Sequence, residues 1–132
     1  MHQVSFVNPA SLYDPRPNSY SHVAVVAEPQ RFVFVAGQGG EDVNGELPAD
    51  FAEQVRRALA NVNAALQAVD AQVSQVVKLT VLVVDHSEQR LAVLSAALRG
   101  VWGDEAPTCT LIPVPRLALD GMLVEIEALA VG

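Results

Sequence analysis

The sequence predicts an α+β domain in which two helices pack on one face of a mixed β-sheet. Its 132 residues fit one domain, since domains cluster near about 100 to 150 residues, so residues 1–132 are expected to form a single unit. Hydrophobic residues make up 51% of the chain and charged residues only 17%, which is more apolar surface than a small monomer readily hides. The hydrophobic pattern changes between a period of two and a helical period in the order β-β-β-α-β-α-β-β.

Three strands are predicted in the amino-terminal part, over Val4–Val7, residues 21–27 and residues 31–36. The sequence Glu28-Pro29-Gln30 between the last two suits a turn, so these two strands are expected to pair as a hairpin. A glycine-rich loop follows, with Asn44-Gly45 as a tight turn.

Two amphipathic helices are predicted next. Asp50 is the expected N-cap of the first, and Glu53 supplies the carboxylate of a capping-box-like start. The second helix is expected to end at Gly103. The apolar face of the first carries Phe51, Val55, Ala58, Leu59, Val62, Leu66 and Val69, and that of the second carries Leu91, Leu94, Leu98, Val101 and Trp102.

The remaining strands are predicted over Val76–Val84, Thr108–Val114 and residues 122–131. Val76–Val84 is substantially apolar on both faces, and a strand buried on both faces needs two covers. Two helices supply only one. We therefore expect another copy of the chain to cover the other face, as in an obligate homo-oligomer.

Charge and cysteine content exclude several classes. The net charge of -7, with no basic cluster longer than Arg56-Arg57, argues against a nucleic-acid partner. The lone Cys109 excludes a disulfide framework and suits a reducing compartment, so a cytoplasmic location is expected. No signal peptide is recognised, and the longest uncharged apolar stretch, residues 79–84, is far shorter than the roughly 18 residues that cross a bilayer, so no membrane partner is expected.

The last strand carries the strongest chemical candidates. Glu125 and Glu127 project opposite to a row of small apolar residues that suits the helices. A carboxylate in a poorly hydrated interface cleft can have a raised pKa and move protons. The alternative is an ion pair, with Lys78 as a candidate partner, or a solvated interface rim.

Other candidates are weaker. Cys109 could act as a nucleophile only if a neighbour lowered its pKa, and a small buried residue is the favoured interpretation. His2, His22 and His86 are scattered and a single Cys cannot form a structural zinc cluster, so no metal is assigned. Tyr20 precedes a strand, where its hydroxyl could reach a cleft or its ring could act as an amphipathic plug.

The glycines after the third strand do not form a phosphate loop. The sequence Gly37-Gln38-Gly39-Gly40 lacks the following Lys-Ser/Thr, is followed by acids and leads into a loop. Loop flexibility and close backbone approach are the favoured reasons for these glycines.

Five segments, in order along nearly the whole chain, resemble the RidA family, also called YjgF or L-PSP endoribonuclease-like proteins. They are residues 34–38, 45–50, 58–62, 77–85 and Val124–Val131. The resemblance implies a chorismate-mutase-like fold that forms a homotrimer with clefts between subunits. It also implies hydrolysis of reactive imines or enamines derived from amino acids, without metal or organic cofactor.

The resemblance assigns roles residue by residue. The family glutamate that positions water corresponds to Glu125, the loop glycine to Gly37 and the tyrosine near the first strands to Tyr20. The family's substrate-binding arginine does not carry over, because its Pro-Ala-Arg-Ser/Thr motif is Pro107-Thr108-Cys109-Thr110 here. Cys109 therefore stands at the arginine position. The candidate substrate-binding residues are Tyr20, Gly37, Cys109, Thr110 and Leu111.

Two further departures accompany the missing arginine. Arg116 lies seven residues further on, a step that projects to the opposite strand face unless a proline introduces a bulge. A family asparagine in the second helix is replaced by Val93. Losing a charge-assisted contact of roughly 1.5 to 3 kcal/mol weakens binding of a carboxylate substrate about ten- to a hundredfold, so the standard 2-iminoacid reaction is expected to be weak or absent.

Three functions are compatible with these observations. The first is a divergent cofactor-free hydrolase or deaminase of an imine, enamine or related metabolite lacking a simple α-carboxylate, with Glu125 as general acid/base in an inter-subunit cleft. The second is a non-catalytic trimeric module that binds a small metabolite or a protein. The third, an endoribonuclease, ranks lowest because the net charge is -7.

Overall fold

The structure, a computed structural model, describes residues 4–132. The predicted order of strands and helices is confirmed. The strands are β1 (Val4–Val7), β2 (Val23–Val26), β3 (Phe32–Gln38), β4 (Val76–Val84), β5 (Thr108–Val114) and β6 (Val124–Val131), and the helices are α1 (Phe51–Gln67) and α2 (Glu88–Trp102). Short 3-10 turns lie at Arg16–Asn18 and Val73–Gln75. No helix within residues 4–132 is long and apolar enough to cross a membrane.

The main sheet has four strands in the order β3-β6-β4-β5. It is mixed, as predicted, because β4 and β5 run parallel while the β3–β6 and β6–β4 pairs are antiparallel. Both helices pack on one side of it, and their apolar side chains join those of β3, β4 and β6 in one buried cluster. The predicted fold class is therefore confirmed.

The predicted hairpin between the second and third strands is wrong. β2 pairs with β1 in a separate antiparallel ribbon, and β3 pairs with β6. The residues just before β3 are hydrogen-bonded to the last residue of the chain and not to β2. Gln30 N and Arg31 N both donate to Gly132 O, at 3.0 and 2.9 Å. Glu28, in the intended turn, adopts a left-handed conformation with φ 51°, and the chain leaves the ribbon there.

The ribbon is attached at the β5 edge of the main sheet. Ser21, just before β2, forms a parallel bridge with Thr108. Its backbone nitrogen donates to Pro107 O at 3.1 Å and its hydroxyl to Ala106 O at 2.6 Å. These contacts bring the segment around Tyr20 to the start of β5.

The helix starts follow the sequence, with one exception. The carboxylate of Asp50 accepts from Glu53 N at 3.0 Å, which confirms the predicted N-cap. The Glu53 carboxylate, however, pairs with Arg56 and Arg57, so the expected capping box is not formed among the described residues. Val69, predicted on the apolar face, lies beyond the end of α1 and is 43% exposed.

The two faces of the main sheet differ in burial. The strand alternation places Leu79, Val81 and Val83 of β4 under the helices, together with Val124, Ile126, Ala128 and Ala130 of β6. We call the other side the open face. It carries Phe32, Phe34, Lys78, Thr80, Leu82, Val84, Thr110, Ile112, Glu125, Glu127 and Leu129. Within a single chain the open face has no helix over it, as the strand pattern predicted.

Candidate functional site

Glu125 and Gly37 form the first part of the candidate site, which we call the carboxylate site. Glu125 projects from β6 onto the open face, and the β3–β6 register is irregular between Val35 and Gln38, the stretch that contains Gly37. A Cβ built on Gly37 would overlap the Glu125 carboxyl group. An alanine at position 37 would therefore force the Glu125 carboxyl group out of this position, and the structure brings these two candidate residues together.

The Glu125 carboxylate has no hydrogen-bond or ion-pair partner within residues 4–132. The ammonium of Lys78, its candidate partner, instead donates to Thr110 Oγ1 at 3.4 Å. The ion-pair interpretation is therefore not supported for these residues. Glu125 is half-buried, whereas Glu127 is exposed, so Glu125 is the carboxylate that a ligand or water could engage in a partly dehydrated setting.

The loop that follows Gly37 is held against α1. Asn61 Nδ2 donates to Gly39 O at 2.9 Å and Glu41 O at 3.0 Å. A Cβ on Gly40 would lie 2.8 Å from the Cα of Gln54, closer than side chains approach backbone. Close backbone approach, one of the two reasons expected for these glycines, is thus confirmed at Gly40.

A cavity of about 240 Å³ between α2 and β5 forms the second part, which we call the α2–β5 cavity. Three of the predicted substrate-binding residues, Tyr20, Cys109 and Leu111, line it. Thr110 does not, because it alternates with them along β5 and lies on the open face beside Thr80. The remaining lining residues are Tyr13, Asn18, Val81, Leu91, Leu94, Ser95 and Leu98.

The two parts lie on opposite sides of the sheet in one chain. The strand register places Glu125 beside Leu82 on the open face and Cys109 beside Leu79 on the helix side. One chain therefore does not bring Glu125 and Cys109 into a single cleft. Any cleft that contains both must be completed by a second subunit.

The cavity keeps its ionisable groups neutral. Burial raises the pKa of the Cys109 thiol to about 11, and the positive charge of Lys78 opposes this only weakly. Burial, followed by the hydrogen bond with the Tyr13 hydroxyl, raises the pKa of Tyr20 to about 12. Cys109 therefore lacks the depressed pKa of a nucleophile and behaves as a small, largely apolar side chain.

An aromatic cluster supports Tyr20 at the cavity. The rings of Tyr13, Tyr20 and His22 meet edge to face, with centroids 5.2 to 6.4 Å apart. His22 is fixed by contacts of its ring with Tyr13 O and of its backbone nitrogen with Asn8 Oδ1, both 2.7 Å. The tyrosine near the first strands is thus held by local packing.

Sequence analysis did not identify the contribution of α2 to the cavity. It placed Leu91, Leu94 and Leu98 on an apolar face but gave them only a core role. The residue that could have indicated this contribution is Ser95, next to Leu94 on that face. A buried polar side chain normally has a hydrogen-bond partner. Val93 packs against the core instead.

The remaining candidates lie outside both parts of the site. Arg116 is exposed and pairs with Asp120 at 2.8 Å, so it does not replace the family arginine. Within residues 4–132 no group of three or more side chains is arranged to hold a metal ion. His2 lies outside the described residues.

Comparison with known proteins decides the family. Residues 14–132 match the family model described as Endoribonuclease L-PSP. The chain belongs to this family. A RutC family protein of Pyrococcus abyssi is 33% identical over 123 residues, covering 88% of this chain and 89% of the relative. The 2-iminobutanoate/2-iminopropanoate deaminase of Escherichia coli is 37% identical over 90 residues, covering 66% of this chain and 68% of the enzyme.

The fold of this L-PSP family member is also found in solved structures. A crystal structure from Yersinia pestis, described as a Rid family protein of unknown function, superposes with a TM-score of 0.93 at 32% identity. The match covers 99% of this chain and 100% of the other. The family resemblance drawn from the sequence segments is therefore confirmed.

Proposed function

We propose that this L-PSP family member is a cofactor-free hydrolase, of deaminase type, acting on a reactive imine or enamine that lacks an α-carboxylate. The observation that carries the proposal is the unpaired, half-buried Glu125 carboxylate above Gly37. The deaminase of Escherichia coli among its relatives supports the reaction type. The departure lies in the substrate, since Cys109 stands where the family resemblance expects an arginine.

The proposed active form is a homotrimer with its clefts between subunits. Glu125 and the α2–β5 cavity lie on opposite sides of one sheet, so the carboxylate site of one protomer would complete the cavity of its neighbour. The open face supports such an association, because Phe34 is 79% and Phe32 is 57% exposed there.

Glu125 is the proposed general acid/base. As a carboxylate it takes a proton from a water molecule while the water oxygen bonds to the imine carbon and the C=N electron pair moves to the nitrogen. Glu125 gives this proton to the nitrogen, which yields a neutral carbinolamine. It then takes the proton of the carbinolamine hydroxyl and delivers it to the nitrogen as the C–N bond breaks, so the carbonyl forms and ammonia or an amine leaves.

The substrate class follows from the charge of the cavity. Among the residues that the structure describes, no charged side chain lines the α2–β5 cavity, and Cys109 is held as the neutral thiol by its raised pKa of about 11. A carboxylate placed there would lose its water without gaining a counter-charge, which is unfavourable. An uncharged imine or enamine meets no such penalty.

The test is a turnover screen with imines generated in situ, one set from simple amines by an amine oxidase and one from amino acids by an amino-acid oxidase. We expect faster hydrolysis of the uncharged imines, and a loss of about a hundredfold or more in Glu125→Gln, the usual size of general acid-base catalysis. Glu127→Gln is the matched control, since Glu127 is an exposed glutamate two residues along the same strand, and it should retain full turnover. Unchanged turnover in Glu125→Gln would refute the role given to Glu125.

The same screen separates catalysis from binding alone. A non-catalytic trimeric module would bind small molecules and hydrolyse none of the imines. RNA cleavage is disfavoured by the net charge of -7, which repels a phosphate backbone.

A further inference from the structure

The hydroxyl of Ser95 is a buried polar group without a partner. Ser95 lies in α2, is only 8% exposed and lines the α2–β5 cavity. Its Oγ has no hydrogen bond within the described part of the chain. Leaving a buried hydroxyl unpaired costs about 1 to 3 kcal/mol, so a hydrogen-bonding ligand in the cavity would remove a standing penalty.

The rest of the cavity wall defines what such a ligand can be. On its α2 and β5 sides the cavity is otherwise lined by Leu91, Leu94, Leu98, Leu111 and the neutral thiol of Cys109. Its other polar side chains are Asn18 and the two tyrosines Tyr13 and Tyr20, whose hydroxyls share one hydrogen bond. The part of the cavity that one chain forms has a volume of about 240 Å³, below the roughly 300 Å³ at which drug-sized sites begin, so the part of the ligand beside Ser95 is small.

We propose that Ser95 is a specificity-determining residue that donates its hydroxyl hydrogen to the carbonyl oxygen of a small, uncharged, mainly apolar ligand in the α2–β5 cavity. This rests on the proposed function only in taking the cavity as the substrate side of the cleft. With no arginine in the cavity, the Ser95 hydroxyl supplies a hydrogen-bond donor to the ligand. A neutral aldehyde or ketone, the product of hydrolysing an uncharged imine, has this chemistry.

The test uses two probes of the same shape, isovaleramide and isovalerate, titrated against the intact protein by calorimetry or ligand-observed NMR. We expect the amide to bind at least about tenfold more tightly than the anion, because the wall offers no counter-charge. Ser95→Ala should weaken amide binding about five- to tenfold, the effect of one lost hydrogen bond. Benzene, which lacks a carbonyl acceptor, should bind equally to both proteins.

Ser19→Ala is the matched control. Ser19 is also buried, its Oγ is also unpartnered within residues 4–132, and it does not line the α2–β5 cavity. This variant should bind isovaleramide like the wild type. An equal loss of amide and benzene binding in Ser95→Ala would mean a structural role and overturn the proposal.

Other results would also overturn it: isovalerate binding as tightly as the amide, no effect of Ser95→Ala on amide binding, or no amide binding at tens of millimolar. These outcomes are separate from the catalytic proposal, since neither probe is hydrolysed through Glu125. Ser95-dependent amide binding together with unchanged turnover in Glu125→Gln would refute the catalytic role and leave this inference standing.

Discussion

Cys109 shows how one residue changes the chemistry expected of a family site. At this position the family resemblance expects a guanidinium that is always charged, whereas here burial keeps a thiol neutral with a pKa of about 11. The sequence favoured a packing role over a nucleophilic one, and the raised pKa agrees with that interpretation. Because a neutral thiol stands where a positive charge is expected, the cavity favours an uncharged ligand.

The first residue-scale prediction is that Cys109 resists thiol reagents in the native protein. A pKa of about 11 in place of 9.0 lowers the thiolate fraction near pH 7.5 by roughly a hundredfold. Iodoacetamide should therefore label native protein at least about a hundred times more slowly than denatured protein. As the chain has one Cys, mass spectrometry gives the answer without ambiguity of site, and rapid native labelling would contradict it.

The same shift makes stability depend on alkaline pH. The folded-state pKa is raised, so the neutral thiol stabilises the fold fully below about pH 9, and this contribution is lost as pH rises towards 11. The free energy of unfolding should fall more steeply from pH 8 to pH 11 in the wild type than in Cys109→Ala. Tyr20, whose pKa is raised to about 12, adds a similar loss at still higher pH in both proteins.

At the scale of residues, the sequence suggested some neighbours at the candidate site and missed others. Glu125 and Gly37 were expected at one site, and they meet because β3 and β6 are neighbours. Ser95 was missed, because a serine on an apolar helix face is informative only once its hydroxyl is known to lack a partner. The burial of a side chain and its hydrogen-bond partners depend on tertiary contacts, and the spacing of residues along one helix does not reveal these contacts.

At the scale of elements, hydrophobic periodicity was sufficient to identify the helices and strands but not to predict which strands pair. The strand β4 and the helix α1 were predicted correctly because their patterns are long and regular. The hairpin between β2 and β3 was predicted from a local turn. The structure pairs β3 with β6 instead, about ninety residues away in the chain. Local turn chemistry was outweighed by a long-range partner.

Gln54 links three elements and carries the element-scale prediction. It is fully buried in α1, its amide nitrogen donates to Pro48 O at 2.7 Å and Gly121 O at 2.9 Å, and its amide oxygen accepts from Leu123 N at 2.9 Å. Through these bonds α1 fixes the end of the glycine-rich loop and the approach to β6, and hence the carboxylate site.

Gln54→Met keeps the side-chain length and removes all three hydrogen bonds, leaving three partly buried backbone groups without this partner. We expect the free energy of unfolding to fall by about 3 kcal/mol or more, measured by urea denaturation at fixed protomer concentration. Gln67→Met at the exposed end of the same helix is the control and should stay within about 0.5 kcal/mol of wild type. Equal midpoints for the two variants would contradict the role of Gln54.

At the scale of the whole molecule, the excess of apolar residues has a location. Part of the 51% hydrophobic content fills the buried cluster under the helices. Another part is displayed on the open face, where Phe32, Phe34 and Ile112 are 57%, 79% and 44% exposed. Large apolar side chains exposed on a sheet face of a small chain are typical of an interface.

The last prediction is therefore an oligomer built on the open face. Light scattering in dilute buffer should give about three times the 14.0 kDa chain mass. Phe34→Glu should shift this mass towards that of the monomer, since a charge buried in an apolar interface must be desolvated without a partner. Val43→Glu is the control, because Val43 is fully exposed in a loop away from the sheet, and it should leave the mass unchanged.

If Glu125 and the α2–β5 cavity do belong to one cleft, the Phe34→Glu monomer should also lose imine turnover while keeping its helical circular dichroism. A wild-type mass of one chain, or full turnover by the monomer, would show that the cleft does not need a second subunit.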